Sequence, residues 1–195
     1  MGTKQDRVQS LAERVLDLRP RLKPDPRRLE GVRVVAHRGV HDNRRVLENT
    51  LPAFQAASEA GAWGIEFDIR WSADNVPLVF HDADLVRLAG SPVRIGDLAL
   101  RQLRKIQPWI PTLQEVLARF GTHLHLMIEL KDDPCDPVRI DVLAEHLDAL
   151  RPGRDFHLMS FDLALLDRMT FVPAAALLPI ARWDVRTSSR WAVSY

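Results

Sequence analysis

Two acidic residues two positions apart, Glu66 and Asp68 in GIEFDIRW (64–71), are the first candidates for chemistry. In an extended strand, side chains at i and i+2 leave the same face about 6.6 Å apart along the backbone. Two inward carboxylates repel each other and are costly to desolvate, and a divalent cation relieves both problems. Their hard oxygen donors suit Mg2+ or Ca2+. The plainer alternative is a strand whose polar side faces water. Glu129, in HLHLMIELK (123–131), supplies a third inward carboxylate, and Lys131 a cation two residues on. Taken alone, that pair reads equally well as an internal ion pair at a strand end.

Groups able to move protons and grip an anion flank these carboxylates. His37-Arg38-Gly39 closes the strand-like VRVVAHR (32–38), and His81-Asp82 closes VPLVFHD (76–82) in the same way. An imidazole titrates near neutral pH, and a guanidinium forks onto phosphate oxygens. A single histidine at a strand end is usually structural. Two at equivalent strand ends divide into one proton acceptor and one donor, as phosphoester cleavage requires. Glu48 precedes the helix TLPAFQAASEAG and is either a site carboxylate or a helix N-terminal charge.

Other polar residues carry less. His123 and His125 begin their strand and read as core or solvent-facing groups. Cys135 lies in a Pro-flanked loop without a partner pattern. His41 and Asp42 sit in the first loop, within reach of a ligand but outside the predicted site. Ser160 is a phosphate or water contact or a structural hydroxyl. With no G-x-S-x-G around it, it is not read as a nucleophile.

The elements that must position these residues alternate in type. Strand-like runs at 32–38, 64–71, 76–82, 123–131, 156–161 and 174–181 are separated by helical patterns, including one capped by Thr112 and one over 137–150. Such alternation implies βαβ units and a parallel sheet, either open or closed into a barrel. The barrel is favoured because the polar residues cluster at C-terminal strand ends, where (β/α)-barrels place their chemistry. The polar sides of the second and fourth strands also need a shared interior. No Gly-rich nucleotide loop follows the first strand. The connection from Ala83 to Pro111 is long and carries Leu85, Leu88, Leu98 and Leu103, which predicts a structured lid over the site.

HRG, ENT-L-P-A-F, G-I-E-F-D, V-P-L-V-F-H-D and I-E-L-K, in this order, resemble the glycerophosphodiester phosphodiesterase family from about Val34 to Phe161. The resemblance implies a TIM-type (β/α)-barrel that hydrolyses a glycerophosphodiester to an alcohol and glycerol 3-phosphate. Carried over by position, Glu66, Asp68 and Glu129 would be metal ligands, and His37 and His81 the acid–base pair. Arg38, Glu48 and Lys131 would hold phosphate or order the site. Leu47 stands where the family often has Pro. About 160 residues follow Val32, against about 250 for a full barrel, so the fold is expected to be C-terminally truncated at about six strands. Such a barrel leaves an open sheet edge through which a second copy could pair. Two alternatives stay open: a phospholipase D-like enzyme acting on lipids, and a truncated barrel serving as a binding module.

Composition narrows the setting. A net charge of +1 offers no global field for nucleic acid or anionic lipid. The single cysteine excludes an internal disulfide. The polar N-terminus lacks a secretory pattern and no apolar run reaches membrane-spanning length, so a cytoplasmic protein without membrane association is expected. Residues 1–30 read as an amphipathic helix followed by a Pro-rich lead-in, and residues 31–195 as the incomplete barrel domain.

Overall fold

The computed structural model describes residue 27, residues 30–131 and residues 136–181. The chain divides into two units, Met1–Val32 and Arg33–Tyr195, and the strands among the described residues lie in the second. The expected N-terminal helix and Cys135 fall outside the described residues.

Six strands form one sheet: β1 (Val35–His37), β2 (Gly64–Trp71), β3 (Pro77–Val79), β4 (His125–Leu130), β5 (Phe156–Ser160) and β6 (Leu177–Pro179). The order is β1-β2-β4-β5-β6, every step parallel. Helices α1 (Leu51–Glu59), α4 (Leu113–Phe120) and α5 (Pro137–Leu147) cross between successive parallel strands. Local chemistry sets their starts. Thr50, Thr112 and Asp136 each accept a backbone N–H, and Glu115 closes a capping box with Thr112.

One expected strand takes another place. β3 pairs antiparallel with β2 and stands outside the parallel wall. Only Ser72–Val76 joins the two, too short for a crossover, which needs a dozen or more residues. Asn75, at φ 57, turns the chain back, and its N–H donates to Ser72 O at 3.1 Å. The histidine ends are therefore not equivalent. His37 ends a strand of the wall, whereas His81 lies two residues beyond the end of β3.

Taking β3 out of the wall makes β2 and β4 neighbours, with Asp68 opposite Glu129. On the outer side, Ile65, Phe67, Ile69, Leu126 and Ile128 are fully buried against the helices. Phe54 of α1 meets Phe67 and Phe120 at ring separations of 5.7 and 5.9 Å. The hydrophobic effect thus works on the outer face and leaves the inner face free for polar side chains. Gly64 is required at the bottom of β2, because a Cβ there would meet His125 O at 2.5 Å. Gly64→Ala is expected to destabilise the protein by about 1–3 kcal/mol through this overpacking, read as a lowered urea midpoint with unchanged slope.

The 83–111 connection is structured, as its leucines suggested. It holds α2 (Val86–Ala89), a 3-10 turn (Ile95–Asp97) and α3 (Leu100–Ile106). A second core of Leu78, Phe80, Leu85, Ile95, Leu103 and Ile110 binds it to β3. α6 (Leu163–Asp167) follows β5. At the bottom of the wall, His125 stacks on Trp63 at 4.1 Å and hydrogen bonds His157 at 2.8 Å, while His123 is exposed.

Candidate active site

Asp68 and Glu129 lie side by side through the β2–β4 register, and Glu66 lies one inward position below Asp68. One carboxylate oxygen from each falls within 4.8 Å of the others, and all three residues are buried. Lys131 Nζ is 2.6 Å from Glu129 Oε1 and 3.1 Å from Asp68 Oδ1. The second contact lacks hydrogen-bond geometry and leaves Asp68 Oδ1 buried without a hydrogen-bond partner. Asn49 donates from Nδ2 to the other oxygen, Oδ2, at 2.8 Å. Asp68 is thereby oriented with one oxygen toward the other two carboxylates.

This donor set fits a hard divalent cation. Burial, with Asp68 next in effect, pushes Glu66 up to about 8. Burial also raises Glu129, against the pull of Lys131. In the absence of a cation, Glu66 therefore holds a proton near neutral pH, and a cation would compete with that proton.

The sign of the pH effect follows. Glu66 titrates higher in the folded chain than the ordinary carboxyl near 4.5. Its stabilising contribution is complete below that value and is lost as pH rises through about 8. Thermal melts in chelator are expected to fall from pH 5 to pH 9, and melts with Mg2+ or Ca2+ to fall less or rise. Parallel curves in the two conditions would contradict this.

Arg38 and Glu48 sit above the carboxylates. Arg38 has φ 57, and its NH1 donates to Glu48 Oε1 at 2.9 Å while its Nε approaches Asp68 Oδ2 at 3.3 Å. Its backbone N–H donates to Glu66 at 3.2 Å. Gly39, at φ 81, lets this loop lie on α1, since a Cβ there would meet the Ala53 backbone at 2.7 Å. Glu48 is 2% exposed. Burial alone would raise its pKa, but hydrogen bonds from Arg87, Asn43 and Arg38 outweigh it and hold Glu48 at about 2.

The two histidines differ in setting. His37 is mostly exposed at the end of β1, with Nε2 3.7 Å from Glu66 Oε2. Burial and then Arg38 lower its pKa. His81 Nδ1 is 2.6 Å from Asp82 Oδ1, and Arg70 Nε donates to the His81 carbonyl at 2.7 Å. His81 touches none of the three clustered carboxylates in the contacts observed. It reaches the rest of the site through Asp82 and Arg87. Ser160 is occupied elsewhere, its Oγ donating to Leu130 O at 3.0 Å and accepting from Asp162 N at 3.1 Å.

Residues that sequence reasoning left out are Asn43, Asn49, Arg70 and Arg87. Asn43 and Asn49 carry a usable signal, because both adopt positive φ, a conformation asparagine tolerates better than most residues. Arg70 shares its strand face with Glu66 and Asp68, which is also legible. Arg87 meets Glu48 across 39 residues of sequence and is visible only in the fold.

The profile of the Glycerophosphoryl diester phosphodiesterase family matches residues 37–173, from the first histidine to beyond β5. The chain belongs to this family. Curated glycerophosphodiester phosphodiesterases agree. One is glycerophosphodiester phosphodiesterase 1 of Bos taurus, 36% identical over an alignment of 116 residues that covers 52% of this chain and 33% of that protein. Another, from Caldanaerobacter subterraneus, is 36% identical over an alignment of 110 residues that covers 50% of this chain and 44% of that protein. The chain thus spans between a third and under half of the length of these relatives.

Among solved glycerophosphodiester phosphodiesterases, the Thermotoga maritima protein superposes with a TM-score of 0.68 at 33% identity, covering 78% of this chain and 64% of that one. An Oleispira antarctica phosphodiesterase, solved with the product sn-glycerol-3-phosphate, gives 0.61 at 25% identity, covering 83% and 71%. The fold is that of the family's TIM barrel, represented among the described residues by five parallel strands with β3 outside them. Among the described residues, no helix is long and apolar enough to cross a membrane.

Proposed function

We propose that this chain carries a glycerophosphodiester phosphodiesterase site that uses a divalent cation held by Glu66, Asp68 and Glu129. The observation that carries the reading is the meeting of these three buried carboxylates within 4.8 Å. Among the contacts observed, Glu48, Asp68, Asp82 and Glu129 pair with Arg38, Arg87 and Lys131. A divalent cation would neutralise the clustered carboxylates and, when bound, draw electron density from a phosphoryl oxygen.

The chain's own residues account for the rest. Arg38 and Lys131 border the carboxylates and offer N–H donors to a phosphate, stabilising charge that develops on it. His37 stands exposed at the mouth, its pKa lowered by partial burial and by Arg38, and so is suited to accept a proton. His81, with Nδ1–H donated to an ionised Asp82, presents Nε2 for proton transfer. One histidine deprotonates the nucleophile and the other protonates the leaving alcohol.

A second reading, hydrolysis of a lipid-linked phosphodiester, has one observation in its favour. Phe161 is 44% exposed, with its ring 5.8 Å from Lys131 Nζ. An apolar alcohol could lie on that face. Choline release from glycerophosphocholine and from lysophosphatidylcholine separates the readings. Faster turnover of the water-soluble diester, with glycerol 3-phosphate as co-product, is expected. Preference for the lysolipid would replace the first reading with the second.

A further inference from the structure

Glu48, Asp82 and Arg87 form a bridge between the mouth of the barrel and the 83–111 connection. Arg87 Nε donates to Asp82 Oδ2 at 2.6 Å, while NH1 and NH2 grip the two oxygens of Glu48. Asp82 uses its other oxygen on His81 Nδ1. Glu48 uses the same pair of oxygens on Arg38 NH1 and Asn43 Nδ2. A chain of charged hydrogen bonds therefore runs from His81 through Asp82, Arg87 and Glu48 to Arg38, whose Nε lies 3.3 Å from Asp68 Oδ2 as an ion pair without hydrogen-bond geometry.

Each link has a physical purpose. Asp82 alone could rotate, and its carboxylate would not fix the imidazole. A guanidinium fork bound on two sides locks that rotation, because its planar donors point at both acids at once. Arg70 pins the backbone of His81 through its carbonyl. The ring needs a second anchor, and Arg87 provides one through Asp82. Arg87 has no donor left along Nε, and its charge is already met by Asp82 and Glu48. It is therefore poorly suited to bind substrate phosphate itself.

We propose that Arg87 is a positioning residue. It ties Asp82 to Glu48 so that the His81 ring is held in one tautomer and orientation, and it makes the 83–111 connection part of the site. This rests on the function proposed above only for its catalytic consequence.

Two measurements on the full chain decide it. The first is the imidazole Nδ1–H proton resonance of His81, assigned by its absence in His81→Ala. Hydrogen bonded to Asp82, it is expected far downfield, and in Arg87→Gln it should broaden or vanish as Asp82 is released. An unchanged resonance in a folded Arg87→Gln protein overturns the proposal. If that variant does not fold, Arg87→Lys serves, since an ammonium reaches one carboxylate at a time and should weaken the same signal.

The second is steady-state hydrolysis of glycerophosphocholine. Arg87→Gln is expected to lower kcat on the order of 10–10²-fold with KM within about threefold, the cost of a misplaced catalytic group. Added to His81→Ala, it should cost little more. A raised KM at unchanged kcat would make Arg87 a phosphate ligand, and losses that multiply would separate it from His81. Either result overturns the proposal. A wild-type chain inactive with every cation would instead sink the proposed function, and the resonance would still decide the role of Arg87.

Discussion

Glu129→Gln is expected to abolish cation-dependent turnover while leaving the protein folded. Glu129 sits beside Asp68 in the β2–β4 register, and its carboxylate is one of three that converge within 4.8 Å. The neutral amide keeps the shape and one acceptor oxygen but removes a charge that a hard cation requires. Partners one step removed from a metal typically cost 10–100-fold in affinity, so loss of a direct ligand should cost at least about 100-fold. Stability should move little in the absence of cation, because burial already disfavours the ionised form of Glu129. Calorimetric titration with Mg2+ and Ca2+, set beside a thermal melt in chelator, checks both halves. Wild-type cation affinity in Glu129→Gln would remove that residue from the ligand set.

The second large effect concerns the histidines. His37→Ala and His81→Ala are each expected to lower kcat by about 10²–10⁴, the usual worth of a positioned acid or base. The double variant should lose less than the product, since two groups that serve one proton path are not independent. A pH series adds a further check. His37 is shifted below its ordinary value by burial and Arg38, so the limb of the rate profile that belongs to it should lie below pH 6.5, the ordinary histidine value. Near-wild-type turnover in either single variant would take that histidine out of the mechanism.

The alternation of Glu66 with Phe67 and of Asp68 with Ile69 made the polar inner face readable, because a strand's period is two and the apolar partners had to meet helices. The same logic applied to Glu129, but the sequence reading put its strand two places from β2. The misreading lay in β3. Hydrophobic content marked a strand correctly, while the brevity of Ser72–Val76, which forbids a parallel crossover, was the signal that assigns its direction. With β3 folded back, β4 became the neighbour of β2 and the carboxylates closed up.

Glu48 shows the opposite limit. Its type permitted either a helix-end charge or a site group, and nothing nearby in the sequence distinguishes them. The deciding contacts come from Arg38, ten residues before it, and Arg87, thirty-nine after it. Long-range ion pairs leave no periodicity. The structural reading of Ser160 likewise rests on a contact distant in sequence, its hydroxyl donating to the Leu130 carbonyl of the neighbouring strand.

The most direct measurement is the hydrolysis of glycerophosphocholine by the purified chain, stripped of metal and then resupplied with Mg2+ or Ca2+. Release of choline and sn-glycerol 3-phosphate only when a divalent cation is present is the expected result. Full activity in excess chelator would contradict the metal site, and no activity with any divalent cation would contradict the proposed function.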